Sequence, residues 1–246
     1  MKLPLPRWIA HRGGGSLAPE NTLAGIRLAA RLGYRAIEFD VMLSADSTPF
    51  LIHDETLERT TNGHGRVCAT PDNVLMTLDA GGGERIPTLA AAAALCRQYG
   101  LLANVEIKPA AGYERQTAEV VARHCVALWQ EAEILPLISS FSMEALAIAR
   151  DLAPAIPRGL LFDAVPADWH RQLLSLGGVT LHCNARQVRS EVLAEAAAQA
   201  VPVLCYTVNS VPASDKLLAS GVSAVFTDRL DLFAGPPPVR PGQEQG

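Results

Sequence analysis

Two carboxylates stand one residue apart in the run Ala36-Ile37-Glu38-Phe39-Asp40-Val41. The apolar residues around them mark a strand, and side chains alternate faces along a strand. Ile37, Phe39 and Val41 therefore share one face, and Glu38 and Asp40 share the other. A later strand, Asn104-Val105-Glu106-Ile107-Lys108, repeats the pattern and turns Glu106 and Lys108 the same way. Adjacent strands lie about 4.8 Å apart, so Glu38, Asp40 and Glu106 can converge on one point. Packed carboxylates repel one another and lose hydration, and they persist only beside a compensating positive charge. One reading is an ion-pair network with Lys108 and a nearby arginine. The third carboxylate favours a metal site, and hard oxygen donors without a Cys or His cluster suit Mg2+, Ca2+ or Mn2+ rather than Zn2+.

Two histidines fall where such a site can use them. His11 ends an apolar strand and is followed by Arg12-Gly13-Gly14-Gly15, and His53 ends a short apolar run and is followed by Asp54. Imidazoles titrate near neutrality, so the pair is a candidate general acid and base. Arg12 and Lys108 are candidate phosphate ligands, because three carboxylates and one divalent cation still leave a net negative site. The glycine triplet could bring backbone N–H groups up to phosphate oxygens. Tyr206 and Asn209, with Thr207 on the same face as Asn209, are possible pocket-lining residues at another strand end. His182 either faces the site or belongs to the core or rim. His64, His124 and His170 receive no role, and no cysteine has the neighbouring base that a thiol nucleophile needs.

These residues need a scaffold that gathers strand ends. Eight strands can be read: Trp8–His11, Ala36–Leu43, Leu102–Lys108, Pro136–Ser140, Arg158–Phe162, Val179–His182, Val203–Thr207 and Ala224–Thr227. Helical patterns separate them at Thr22–Leu32, Thr88–Tyr99, Gln116–Gln130, Met143–Leu152, Ala167–Leu176, Ser190–Gln199 and Ser210–Ser220. Thr88 at one start, and Gly33, Gly100 and Gly221 at three ends, are capping signals. Strands alternating with helices predict a parallel sheet, and eight units predict a (β/α)8 TIM barrel whose active face lies at the C-terminal strand ends.

The rhythm breaks once. A short strand, Phe50–His53, and a loop-rich stretch with Asn62-Gly63 and Gly81-Gly82-Gly83 predict a small insertion over the barrel mouth, about 44–87. The expected layout is a single catalytic domain over 1–246, with the barrel at about 7–233 and a flexible proline-rich tail at 235–246.

Composition narrows the class. The chain has 246 residues, 49% hydrophobic and 19% charged, with 21 basic and 25 acidic residues for a formal charge of −4. That argues against nucleic acid or an anionic membrane as partner. No apolar run is long enough for stable membrane insertion, and no coiled-coil heptads occur. Five cysteines without a CxxC motif read as small buried hydrophobes in a reducing compartment. With no signal peptide at the start, a cytoplasmic protein is expected.

Several short motifs, taken in order, resemble one family. His11-Arg12-Gly13, Pro19-Glu20-Asn21-Thr22, Glu38-Phe39-Asp40, His53-Asp54, Arg59-Thr60-Thr61-Asn62-Gly63, Glu106-Ile107-Lys108, Ser139-Ser140-Phe141, Tyr206-Thr207-Val208-Asn209 and Phe226-Thr227-Asp228 follow the sequence seen in glycerophosphodiester phosphodiesterases. The pattern is nearest to the bacterial cytoplasmic members of glycerol-phosphate uptake and runs from about Trp8 to Phe233. The resemblance implies an eight-stranded barrel, a divalent cation (Mg2+ or Ca2+), and cleavage of glycerophosphodiesters to sn-glycerol 3-phosphate and an alcohol. It implies His11 and His53 as the acid/base pair, Glu38, Asp40 and Glu106 as metal ligands, and Arg12 and Lys108 on the phosphate. Two rival readings are a phospholipase-like or cyclising phosphodiesterase on lipid, and a glycerophosphodiester-binding protein without turnover. One segment departs from the family pattern: Gly82-Gly83-Glu84-Arg85 reaches Pro87 quickly, which predicts a shorter, less apolar lid.

Overall fold

A computed structural model describes residues 3–233; the tail expected to be flexible lies outside them. Nine strands form one sheet. In chain order they are β1 (Trp8–Ala10), β2 (Ala36–Leu43), β3 (Pro49–Leu51), β4 (Leu102–Ile107), β5 (Leu137–Ser140), β6 (Arg158–Phe162), β7 (Thr180–Asn184), β8 (Val203–Tyr206) and β9 (Ala224–Thr227). All neighbours pair in parallel except β3, which lies antiparallel on the far end of β2. β1 pairs with both β9 and β2, which closes the remaining eight strands into a (β/α)8 barrel.

Alternation sorts the side chains as the sequence predicts. Ile37, Phe39, Val41, Val105 and Ile107 point outward into the main core, between sheet and helices. Ile9, Ala36, Leu102, Leu204, Ala224 and Phe226 form an apolar layer of their own. On β2 that layer is Ala36, so Glu38 and Asp40, two and four residues on, climb the same inner face toward the strand ends. The register sets Glu38 beside Asn104 and Asp40 beside Glu106.

The helices are α1 (Leu23–Arg31), α2 (Asp72–Leu75), α3 (Leu89–Tyr99), α4 (Glu114–Leu128), α5 (Met143–Leu152), α6 (Trp169–Ser175), α7 (Ser190–Ala198), α8 (Val211–Ala219) and α9 (Leu230–Phe233). Side chains of Thr22, Thr88 and Ser142 accept from the backbone N–H of Gly25, Ala91 and Ala145, which caps α1, α3 and α5. Gly100 ends α3 in the left-handed region at φ +61°, as a glycine C-cap does. α4 begins two residues before the expected Gln116, since Glu114 suits a first turn. It buries Thr117, Val121 and Cys125 against the sheet.

Between β3 and α3 the chain is more ordered than a loop-rich reading suggests. It holds a 3-10 turn at Val67–Ala69 and α2, and its Ile52, Leu57, Val67, Leu75 and Ile86 pack with Met42 of β2 and Phe50 of β3 into a small core. Elements of three or four residues are too short to show helical periodicity in sequence, and the four-residue α9 is another such element. No helix of the described residues is long and apolar enough to cross a membrane.

Candidate active site

The strands end just short of the chemistry. His11, Lys108 and Thr207 each follow the last residue of β1, β4 and β8, and His53 lies two residues beyond β3 rather than on it. Together with Arg12, Glu38, Asp40 and Glu106 they line a cavity of about 260 Å³. Phe141, Leu161, Tyr206 and Phe226 also line it. Tyr206 is fixed by its hydroxyl donating to Phe162 O at 2.9 Å and by an edge-on contact with Phe141.

Glu38, Asp40 and Glu106 each offer an oxygen within 4.8 Å of the others'. All three are buried. Burial, then the neighbouring Asp40 and Glu106, push the Glu38 carboxyl well above the ordinary range. Burial and Asp40 raise Glu106 to about 8. For Asp40, burial works upward, but Lys108, His53, Asn21 and Arg12 outweigh it and hold the carboxylate ionised. Asn21 donates to Asp40 Oδ2 at 3.0 Å and accepts from the Asp40 N–H at 3.1 Å.

Glu38 Oε1 and Glu106 Oε1 are buried and accept no hydrogen bond. Two such oxygens beside a third carboxylate are costly unless a cation shares them. The donor set is all hard oxygen, so these residues fit Mg2+, Ca2+ or Mn2+.

Each imidazole leans on an aspartate. His11 Nδ1 lies 2.6 Å from Asp228 Oδ1, and its Nε2 lies 3.8 Å from Glu38 Oε2. His53 Nδ1 lies 2.5 Å from Asp54 Oδ1, while its Nε2 meets the Lys108 ammonium. These partners place the His53 proton on Nδ1, because the carboxylate only accepts and the ammonium only donates. Burial, helped by Lys108 and Arg12, lowers the His53 pKa against the opposing pull of Asp40 and Asp54. Lys108 Nζ also reaches Asp40 Oδ1 at 3.4 Å and Glu106 Oε1 at 3.8 Å.

Arg12 holds a positive φ of 50°. That turn aims its backbone N–H at Glu38 Oε2, 2.9 Å away, while Nη1 donates to Glu20 Oε1 at 2.9 Å. The glycine triplet does not cradle an anion as the sequence suggested. The N–H groups of Gly13, Gly14 and Gly15 are spent on the carbonyls of Glu38, Arg12 and His11. Close approach is the reason for glycine here: a Cβ on Gly15 would sit 2.3 Å from Asp228 O.

Two other expectations move. Asn209 does not line the main cavity. It donates to Asp228 Oδ2 at 2.9 Å and accepts from the Asp228 N–H at 2.8 Å, in an adjoining groove shared with His11 and Arg12. The strand ends at Tyr206, so its alternation no longer applies three residues on. His182 faces the cavity floor, fully buried, with Nε2 on Thr180 Oγ1 at 2.9 Å and burial lowering its pKa to about 3. Gly82 and Gly83 are absent from the cavity's lining among the described residues, and Asp79 accepts the N–H of Gly81 and Gly83 in a tight turn.

Residues without an assigned role in the sequence hold this arrangement. Asp228 and Asp54 orient the imidazoles, Asn21 orients Asp40, and Arg59 joins Asp54 to Glu20. Burial acts to raise Glu20, yet Arg59 and Arg12 bring it below the ordinary range. A signal existed: Glu20, Asn21, Arg59 and Asp228 all stand in the short motifs that carried the resemblance.

Residues 11–232 match the Glycerophosphoryl diester phosphodiesterase family. A glycerophosphodiester phosphodiesterase of Caldanaerobacter subterraneus subsp. tengcongensis is 32% identical over 232 residues, 89% of this chain and 93% of its own. The structure of an Oleispira antarctica phosphodiesterase in complex with the product sn-glycerol-3-phosphate superposes with a TM-score of 0.86 at 38% identity, covering 91% of this chain and 93% of that one. The glycerophosphodiester phosphodiesterase of Agrobacterium tumefaciens gives 0.75 at 30% identity, over 94% and 99%.

Proposed function

Because the chain belongs to the glycerophosphoryl diester phosphodiesterase family, we propose that it hydrolyses glycerophosphodiesters, such as glycerophosphocholine or glycerophosphoethanolamine, to sn-glycerol 3-phosphate and an alcohol. One observation carries this reading: three buried carboxylates and two aspartate-backed imidazoles converge on a single cavity. The Oleispira enzyme's product, sn-glycerol-3-phosphate, supports the same substrate class.

Glu38, Asp40 and Glu106 would hold a divalent cation, Mg2+, Ca2+ or Mn2+. When bound, it supplies positive charge to the phosphate oxygens and to the pentacoordinate transition state. Formal charges then balance: −3 from the carboxylates, +2 from the cation and +2 from Arg12 and Lys108 leave +1 for a monoanionic diester. Arg12 and Lys108 bind and orient the phosphate, and the apolar lining of Phe141, Leu161 and Phe226 suits a carbon skeleton.

Hydrolysis forms a bond from water oxygen to phosphorus and breaks the bond to the alcohol oxygen. One imidazole takes the water proton and the other returns a proton to the departing alcohol. Both are held through Nδ1, so the transfer falls to Nε2, which on His11 has no hydrogen-bond partner among the described residues and on His53 faces the Lys108 ammonium. All five cysteines are buried and free of disulfides, which agrees with a cytoplasmic setting.

Release of glycerol 3-phosphate from glycerophosphocholine, with Mg2+, Ca2+ or Mn2+ and again with EDTA, tests the proposal beside a His11→Ala control. Metal-dependent release that disappears in the control is expected. Folded protein that releases nothing from several head groups with any of the three cations would overturn it.

A further inference from the structure

Arg59 takes no part in the chemistry above, and its side chain is 46% exposed. An arginine so exposed is ordinarily a loosely held surface charge. Here every guanidinium nitrogen is engaged. Nη1 and Nη2 donate to Glu20 Oε2 and Oε1, both at 2.8 Å. Nε and Nη2 donate to Asp54 Oδ2 and Oδ1 at 2.5 and 3.0 Å.

Each of those carboxylates has a second partner inside the site. Glu20 Oε1 also accepts from Arg12 Nη1 at 2.9 Å, and Asp54 Oδ1 also meets His53 Nδ1 at 2.5 Å. An unbroken chain of charge-assisted contacts therefore runs Arg12, Glu20, Arg59, Asp54, His53. Glu20 lies between β1 and α1, whereas Asp54 and Arg59 lie in the segment after β3, so no shorter covalent path fixes one end to the other. The planar fork of a guanidinium sets angle as well as distance at both carboxylates.

We propose that Arg59 is a positioning residue that sets Arg12 and His53 as one unit, through Glu20 on one side and Asp54 on the other. This rests on the phosphate-binding and acid/base roles read for those two residues above. The two arms act on different quantities. The Glu20 arm orients the group that binds phosphate, which appears in KM. The Asp54 arm orients the group that moves a proton, which appears in kcat. A staple that merely fastened the segment after β3 to the barrel would change stability and leave both constants alone.

The test uses the full chain with a divalent cation and glycerophosphocholine. Wild type, Arg59→Ala, Arg59→Lys, Asp54→Asn and Glu20→Gln are compared, with the double variants. Arg59→Ala is expected to lower kcat about 10–100-fold, the cost usual for losing a group that orients a site residue, and to raise KM, with little change in melting temperature. Adding Asp54→Asn to Arg59→Ala should cost little more kcat, and adding Glu20→Gln little more KM, because each pair acts in series. Arg59→Lys should recover only part, since an ammonium cannot grip both carboxylates in two-point fashion. Free guanidinium, well below denaturing levels, should restore activity to Arg59→Ala and not to wild type.

Unchanged kcat and KM in folded Arg59→Ala, or losses that multiply in the doubles, would sink the proposal. Where Arg59→Ala does not fold, Arg59→Lys carries the same comparisons. Failure of the underlying reading looks different: wild type is inactive, or His53→Ala turns over like wild type. Nitrogen NMR of the His53 ring then decides the matter. A shifted or broadened His53 Nδ1–H signal in the Arg59 variant supports the link, and a signal identical to wild type overturns it.

Discussion

Asp228 Oδ1 lies 2.6 Å from His11 Nδ1, so the residue after the last barrel strand holds the residue after the first. A carboxylate in that place fixes the tautomer and the aim of the ring. Asp228→Asn keeps the shape but can donate where it should accept. It is expected to lower kcat by at least about tenfold, with His11→Ala losing on the order of 10²–10⁴. Both should melt near the wild-type temperature, and steady-state kinetics with thermal melts check this.

The acidic cluster makes the metal-free protein sensitive to base. Burial and Asp40 raise Glu106 from 4.5 to about 8. A carboxyl raised in this way favours the fold below its unfolded value, and the advantage is lost as pH rises through the folded one. Metal-free stability should therefore fall between about pH 4.5 and 8. A divalent cation at about a hundredfold its Kd should add about 2.7 kcal/mol. Glu106→Gln should raise the metal-free melting temperature at pH 8 and abolish the shift with Mg2+ or Ca2+.

His182 makes the fold sensitive to acid. Its folded pKa of about 3 lies below the ordinary 6.5, so in that window the unfolded chain binds a proton that the fold refuses. Stability should fall as pH drops from about 6.5 toward 3, by up to about 1.4 kcal/mol per pH unit. Urea unfolding of wild type and His182→Gln at several pH values should show a shallower acid slope in the variant. Parallel slopes would remove His182 as the cause.

Gly15→Ala probes the approach of the first loop to the last. The position has φ +56°, and the new methyl would sit 2.3 Å from Asp228 O and 2.6 Å from Leu230 Cδ1. A loss of about 2 kcal/mol or more is expected from strain and overlap, together with lower kcat as Asp228 is pushed from His11. Urea unfolding and kinetics on the same preparation measure the two effects.

The barrel and the carboxylate triad were legible because both follow from alternation, a local rule. Glu38, Asp40 and Glu106 need only that side chains change faces at each residue and that neighbouring strands lie side by side. The Asp228 contact spans 217 positions, and no local period encodes such a pairing. The same holds for Glu20 and Arg59, 39 positions apart on two loops. The Gly13–Gly15 reading failed for another reason. Composition shows that the backbone can come close to something, and here that something is the protein's own chain rather than an anion. His182 was half legible: alternation allowed it to face inward, but depth along the barrel decides whether an inward histidine touches ligand or core.

Closure of the barrel also sets a timetable. β1 waits for hydrogen bonds from β9, and His11 waits for Asp228. A ribosome makes the first member of the His11–Asp228 pair 217 residues before the second. The triad and both histidines are thus in the chain long before the first ring has its carboxylate. The barrel cannot close before β9 takes its place between β8 and β1, so assembly of the whole site requires translation past Asp228.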